Sequence, residues 1–394
     1  YRPGGNCHPP PRASPPLSTV DDTIELCNKV HSILASAKFN LRKWQSNNTE
    51  ILKGIDSAKV ESSCSLDLAS NINASSKTLG IKWLPNPDEL SFSINVSQQD
   101  KITKRHILSV ISQIFDPLGL VGPCVIEAKL IMQRLWVENK YDWDDEVSQE
   151  IKEIWSSFVT YLPALNNLHI PRWVLSDVCA IFQIHVFSDA SERAYGACVY
   201  IRSVKAGDIT VKLLVSKNRV APLKSTTIPR LELCAALLGS RLSCKVLESL
   251  TLPITRCFFW CDSTIVLGWL TMPTQQLKTF VRNRVSEIQE NTNGHTWCYV
   301  PSNSNPADIV SRGARADQIS DLSFWWSGPT FLSEEESKWP KLSNTNGSTE
   351  TLPDVVSHFT TQGTANTSSV ISDCNHAAMQ YFFLVASCNK CKRG

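Results

Sequence analysis

The chain has 394 residues, 42% of them hydrophobic and 19% charged, with a formal net charge of +2. That length suits two or three domains with cores of their own, and the composition is globular rather than disordered. A balance so close to neutral carries no global signature of a nucleic-acid binder, so any such binding must come from local basic patches.

Fourteen cysteines are too dilute for a disulfide framework. Most sit in apolar stretches such as Leu233-Cys234-Ala235 and Trp260-Cys261, the usage of reduced core thiols, which predicts an intracellular protein, cytoplasmic or nuclear. The sequons at Asn48, Asn73, Asn95, Asn346 and Asn366 are expected to be chance matches, because no secretion signal accompanies them. No apolar run approaches the roughly 18 residues of a membrane span, so no membrane partner is expected. Nothing in the sequence speaks to oligomeric state.

In chain order, the proline-rich residues 1–18 read as a flexible leader. Val20, Ile24, Cys27, Val30, Leu34 and Ala37 recur at helical spacing, which predicts a helix over 20–37. Two short strand-like runs flank the turn Pro85-Asn86-Pro87-Asp88. Helical patterns return at about 101–115, 124–137 and 146–160, broken at Asp116-Pro117-Leu118-Gly119 and Gly122-Pro123. From Ile181 the period changes to strands, at 181–187, 195–203 and 210–216. A long helix (230–249), a strand (256–260), two helices (263–271 and 276–290), a strand (296–300) and a short helix after Pro306 follow. Beyond Pro340 the chain turns to Ser, Thr, Asn and Gly, and 341–394 reads as a disordered linker and tail.

Four acids stand out along this order. Asp189 ends the apolar run His185-Val186-Phe187-Ser188, Glu232 opens the long helix in Ile228-Pro229-Arg230-Leu231-Glu232, Asp262 ends Phe258-Phe259-Trp260-Cys261, and Asp308 opens the last helix in Asn305-Pro306-Ala307-Asp308. Each alone has an ordinary explanation as a turn residue, a helix cap or a helix-dipole partner. Their order is more informative. In a mixed sheet with right-handed crossovers the first and fourth strands can lie side by side, which would bring Asp189 and Asp262 together with Glu232 above them. Acids converging in this way repel unless divalent cations neutralise them, and hard oxygen ligands suit Mg²⁺ or Mn²⁺. Two such ions about 3.5–4 Å apart can activate water and stabilise the leaving oxygen of a phosphodiester.

The order and spacing resemble ribonuclease H, and the wording resembles the BEL/Pao group of long-terminal-repeat retrotransposons. The matching stretches are FSDASERAYGACVY (187–200), SKNRVAPLKSTTIPRLELCAALLGSRL (216–242), WCDSTIVLGWL (260–270), KTFVRNRVSEIQ (278–289) and VPSNSNPADIVSRG (300–313). The resemblance implies an α/β fold: a ribonuclease H-like mixed five-stranded sheet with flanking helices, preceded by a mainly helical reverse-transcriptase thumb/connection-like region. It implies that Asp189, Glu232, Asp262 and Asp308 take the four metal-ligand positions for two Mg²⁺ or Mn²⁺ ions, and that the partner is an RNA–DNA hybrid or other nucleic acid. Upstream, FNLRKWQSN (39–47), LGIKW (79–83) and KRHILSVISQIFDPLGLVGP (104–123) resemble the end of that family's polymerase and its link to the nuclease. The implied division is a leader at 1–18, a partial palm remnant at 19–100, a thumb/connection-like region at 101–174, a ribonuclease H-like domain at 175–340 and a tail at 341–394.

Two departures from the family pattern matter. Asp21-Asp22 superficially resembles the polymerase's aspartate hairpin but lies too close to Phe39, and reads instead as a helix start, so no polymerase activity is expected. The loop Ser302-Asn303-Ser304 lacks the histidine of many ribonucleases H, and His295, which precedes the last strand, is a poor substitute. Two basic groups are candidates for the nucleic-acid backbone: Lys217, Arg219, Lys224 and Arg230 near Glu232, and Lys278, Arg282 and Arg284 across a helix from Leu277, Phe280, Val281, Val285 and Ile288. A solvated helix face, or an Arg–Glu pair at Arg230, explains them equally well. Cys374, His376, Cys388 and Cys391 lack the regular second pair of a zinc site. Trp325, Trp326 and Trp339 are expected to close the core. Two readings remain: a ribonuclease H-type enzyme, or an inactive relic that binds nucleic acid or is only structural.

Overall fold

The computed structural model describes residues 19–42, 44–56, 60, 76–78, 81–96, 101–138, 140–175, 181–205, 207–341 and 352–355. The 1–18 leader, the cluster of Cys374, His376, Cys388 and Cys391, the sequons at Asn73, Asn346 and Asn366, and most of the expected tail lie outside the described residues. These fall into two compact units: 19–60 with Ser249–Thr251, and 76–248 with 252–355.

In the smaller unit, α1 (Val20–Ser36) starts behind the Thr19 cap with Asp21 and Asp22 in its first turn, as carboxylates near a helix N-terminus should be. A short α2 (Thr49–Lys53) follows, capped by Asn48. The expected apolar stripe of α1 is only partly used: Val20, Ile24, Cys27 and Leu34 are half-buried, and Val30 is exposed.

The larger unit opens with strands β1 (Ser76–Thr78), β2 (Ile81–Leu84) and β3 (Glu89–Phe92), which join β4 (Ile170–Pro171) in a four-stranded antiparallel sheet. Asp88, in the expected turn, takes a bidentate ion pair from buried Arg172 (2.7 and 3.1 Å), which ties the hairpin to β4. Helices α3 (Lys104–Ile111), α4 (Gly122–Glu138) and α5 (Gln149–Tyr161) match the three helical patterns.

The second sheet contains β5 (Ile181–Ala190), β6 (Ala194–Lys205), β7 (Asp208–Val220), β8 (Ile254–Cys261) and β9 (Thr296–Tyr299), in the order β7-β6-β5-β8-β9. β5, β6 and β7 are antiparallel, whereas β8 and β9 run parallel to β5. The connections are α6 (Ile228–Ser249), α7 (Thr264–Thr271) and α8 (Thr279–Asn291), and α9 (Ala307–Arg312) and α10 (Ser323–Ser327) follow β9. This is the expected mixed five-stranded sheet with flanking helices. Its aromatic side chains form one packed face: His185 stacks on Phe258 at 5.1 Å, Phe187 on Trp260 at 5.9 Å, and Trp339 closes edge-on over Phe258 at 5.0 Å. Trp325 is fully buried and Trp339 nearly so, as expected, while Trp326 is half-buried.

The Asp116-Pro117-Leu118-Gly119 break does more than separate helices. Asp116 accepts the Leu120 and Val121 amides (2.9 and 2.8 Å), and the turn offers Leu118 O to the Ser216 amide of β7 at 2.8 Å. A Cβ at Gly119, whose φ is +69°, would collide with Ser216 O, so this contact requires glycine. Trp325 Nε1 then donates to Leu120 O at 2.9 Å, and Lys129 of α4 to Asn218 Oδ1 at 2.6 Å. These contacts cross the boundary expected at 174/175. A fragment beginning at residue 175 is therefore expected to be at least ~3 kcal/mol less stable than one beginning at 101, since it loses buried Leu118, Leu120 and Val121 and strands polar groups on β7. Urea unfolding of the two fragments checks this, and equal midpoints would restore 175 as a folding boundary.

Candidate active site

Each of the four acids arrives on a different element. β5 is buried from Phe182 to Ala190, and its parallel pairing with β8 reaches Ser188 opposite Cys261. Asp189 and Asp262 are the next residues along these neighbouring strands, at the same C-terminal edge. Asp262 is no helix cap: Ser263 takes that place, its hydroxyl accepting the Val266 amide at 3.3 Å. Asp262 Oδ1 is buried and meets no hydrogen-bond partner.

Glu232 is the fifth residue of α6, because the helix starts two residues earlier than the sequence suggests. Burial raises its carboxyl above the ordinary value, a hydrogen bond with Ser263 opposes the rise, and the charge of Asp262 adds to it. Asp308 lies in the first turn of α9, which ends at Gly313, and accepts from Arg312 Nε at 2.5 Å. Asp189 accepts from Ser311 Oγ at 2.5 Å. Burial pushes its carboxyl up to about 7; Ser311 works against this, and the charges of Asp262 and Asp308 reinforce it.

The four acids thus share one neighbourhood, and Asp189 is influenced by two of the others. They do not close into a ready cage: among the described residues, no group of three or more His, Cys, Asp or Glu side chains is gathered tightly enough to hold a metal. Two of the acids have partners on α9: Ser311 on Asp189 and Arg312 on Asp308. The donors nevertheless fit a hard divalent cation. All are carboxylate oxygens, one is buried without a partner, and burial, reinforced by the charges of Asp262 and Asp308, pushes the Asp189 carboxyl up.

Sequence reasoning missed the residues that build this edge. Buried Asn305 donates to Ser188 O at 3.1 Å and accepts the Ala307 amide, pinning the start of α9 beside Asp189. Gly196 pairs with Asp189 across β6, and a Cβ there would fall on Val310 of α9. All lie inside the quoted FSDASERAYGACVY and VPSNSNPADIVSRG stretches, so the signal was present without a role attached to it. His295 precedes β9, whose Thr296 pairs with Phe258 near the middle of β8. That places it towards the end of the sheet away from Asp262.

Residues 103–263 match the family model described as Pao retrotransposon-like RNaseH-like domain. This stretch, less than half of the chain, resembles a Pao-type retrotransposon ribonuclease H-like segment. It takes in α3 to α5 together with β5 to β8, and carries Asp189, Glu232 and Asp262; Asp308 lies beyond it. No curated protein matches the chain. Similar solved structures include the N-terminal ribonuclease H domain of rv2228c from Mycobacterium tuberculosis (13% identity, 36% of this chain, 97% of that one, TM-score 0.25). Ribonuclease H1 from Halobacterium salinarum NRC-1 (15%, 36%, 98%, 0.24) and LC11-RNase H1 in complex with an RNA/DNA hybrid (12%, 33%, 92%, 0.23) are also similar. No helix of the described residues is long and apolar enough to cross a membrane.

The basic residues of the Pao-type segment and its surroundings divide. Lys217 and Arg219 lie on β7, close enough to Lys129 to help, after burial, lower its pKa to about 8. Lys224 is exposed in the loop before α6. Arg282 is spent on the backbone, donating to Leu277 O at 3.0 Å and Gln275 O at 3.3 Å. Arg284 stacks on Phe280 with its guanidinium 3.6 Å from the ring centre, and Arg230 approaches the same ring at 5.1 Å. Behind them Leu277, Val281, Val285 and Ile288 are buried as expected.

With its pKa raised from 3.8 to about 7, Asp189 binds its proton more tightly in the folded chain than in the unfolded one. Its contribution to stability is fully present below about pH 4 and is lost as pH rises through about 7. Asp189→Asn is therefore expected to raise the melting temperature at pH 8 in the absence of divalent ions, by roughly 2–4 °C per kcal/mol recovered. It should also abolish any stabilisation by added Mg²⁺. A melting curve at pH 8 that shifts downward would show that Asp189 is not held against its charge.

Proposed function

We propose that the Pao-type segment, completed by α9, is a divalent-metal-dependent nuclease that hydrolyses the RNA strand of RNA–DNA hybrids as part of a retrotransposon Pol polyprotein. The observation that carries this reading is the buried, unpartnered Oδ1 of Asp262 beside Asp189, whose carboxyl burial pushes up to about 7. A fold does not leave a carboxylate oxygen in that state without cost unless something binds it. Asp189, Glu232, Asp262 and Asp308 would hold two Mg²⁺ or Mn²⁺ ions. When bound, such ions activate water and stabilise a leaving oxygen. The chain's own part is to orient. Asn305 and Ser311 fix the Asp189 edge, Ser263 restrains Glu232, and Arg312 must release Asp308 for that acid to ligate.

Lys217, Arg219, Lys224, Arg230 and Lys278 would track the phosphate backbone, with Arg282 and Arg284 shaping α8 beneath them. The choice of a hybrid rests on the motif resemblance, as does a reverse-transcriptase origin for 19–100 and 101–174 and the BEL branch of the family. The purified chain is expected to cut the RNA strand of a hybrid duplex when given Mg²⁺ or Mn²⁺. Asp262→Asn should slow cleavage by ~100-fold or more while hybrid binding persists. If the unaltered chain binds hybrid but cuts none, the segment is an inactive binding relic.

Residues 1–394 alone are expected to lack polymerase activity, because Asp21 and Asp22 serve the first turn of α1 rather than a metal-binding hairpin. Template-directed incorporation of a labelled nucleotide by this chain would overturn that.

A further inference from the structure

Residues 352–355, in the stretch expected to be a disordered tail, lie docked on the face formed by α6, α7 and α8. Leu352 packs over Gly268, where a Cβ would come within 2.9 Å of its Cδ1. Pro353 O accepts from Trp269 Nε1 at 2.8 Å. Asp354 O accepts the Lys278 amide at 2.8 Å, and Val355 pairs with Leu277. The Asp354 carboxylate takes both arms of Arg230, Nε at 2.8 Å and Nη2 at 2.7 Å, with Lys278 Nζ at 3.6 Å. Asp354 reaches this position in a left-handed conformation, φ +63°, which is strained for a non-glycine residue.

The docked carboxylate meets a fork of donors suited to two oxygens of one anion, and a phosphodiester presents that same pair. Arg230 lies on α6, the helix that also carries Glu232, so the fork and the acid cluster are built on one element. Among the described residues the anchor spans 352–355 and is held by two ion pairs to one carboxylate, a few hydrogen bonds and two apolar side chains, small enough to be displaced. We propose that Arg230 and Lys278 form a backbone-phosphate subsite for nucleic acid, and that the chain's own Leu352–Val355 segment is a built-in competitor whose Asp354 occupies that subsite until a phosphate displaces it. This rests on the nucleic-acid reading above and adds to it an occupant and a mode of regulation.

The test is equilibrium binding of a fluorescent RNA–DNA hybrid to the full chain at fixed salt, in the presence of Ca²⁺ to avoid turnover. Asp354→Asn and Leu352→Ser loosen the segment through different contacts. Both are expected to tighten hybrid binding about 10-fold, the factor by which an occupied subsite lowers apparent affinity. Arg230→Ala should weaken binding and erase the gain when combined with Asp354→Asn. Glu290→Gln removes a negative charge from the same helix without touching the subsite, so an equal gain from it would reduce the effect to bulk electrostatics and overturn the proposal. If Asp354→Asn and Leu352→Ser bind hybrid no better than the unaltered chain while melting normally, the segment is a structural strap, and the nuclease reading survives alone. Should either variant fail to fold, the hydrogen-exchange rate of the Lys278 amide in the unaltered chain decides. Saturating hybrid should accelerate it as Asp354 O leaves, and unchanged protection with hybrid bound would overturn the proposal. No binding of hybrid by any folded variant would remove the nuclease reading and this inference together.

Discussion

The parallel pairing of β5 with β8 is the constraint on which the rest of the second sheet depends. It is the one junction at which the antiparallel meander β5–β7 meets the parallel pair β8–β9, and it sets two carboxylates side by side at one strand edge. Parallel strands are buried on both faces and need a crossover helix. α6 supplies it, packing closely enough that a Cβ at Gly239 would come within 3.1 Å of Val186 Cγ1. The same helix delivers Glu232 to the edge. Crossover, close packing and acid delivery are thus one structural solution, and the site cannot be moved without unpicking the sheet.

α9 does the opposite kind of work. It adds the fourth acid and at the same time supplies Ser311 and Arg312, which occupy Asp189 and Asp308. Repulsion among buried carboxylates destabilises a fold, and these two contacts relieve it in the absence of a cation. The Arg312 contact is exposed and of the i, i+4 kind, so it contributes little stability and yields readily. The Ser311 contact is buried, and giving it up is costlier. Asp308 is therefore the acid freest to change partner and Asp189 the most fixed, an asymmetry that follows from burial alone.

The sheet was legible because its elements are long and strongly patterned. Even the adjacency of β5 and β8 followed from handedness and order. What was not legible depended on partners far away in sequence. Asp262 next to Ser263 looks like a cap until the structure shows that the serine caps α7. Arg282 and Arg284 look like a solvated basic face until their guanidinium groups are seen on carbonyl oxygens and on Phe280. Asp354 sits in a stretch whose composition reads as linker, and only its pairing with Arg230, 124 residues away, shows that four residues of it are anchored. Local composition reports propensity and is silent about a contact of that reach.

The helical stretch before the sheet also changes meaning once β7 is considered. β7 is the edge of the five-stranded sheet, and an uncovered edge invites pairing with other chains. The Asp116–Gly119 turn covers that edge at Ser216 by placing Leu118 O on its amide, and Ser216 Oγ returns a hydrogen bond to Gly119 O. Asp116, half-buried and pushed up to about 6 mainly by desolvation, is the cost of holding the turn in that shape. The match to the Pao family model begins at Thr103, ahead of this turn, and so joins the edge cover to the sheet it covers. The helices that read as a connecting region are, in physical terms, the side wall of the five-stranded sheet.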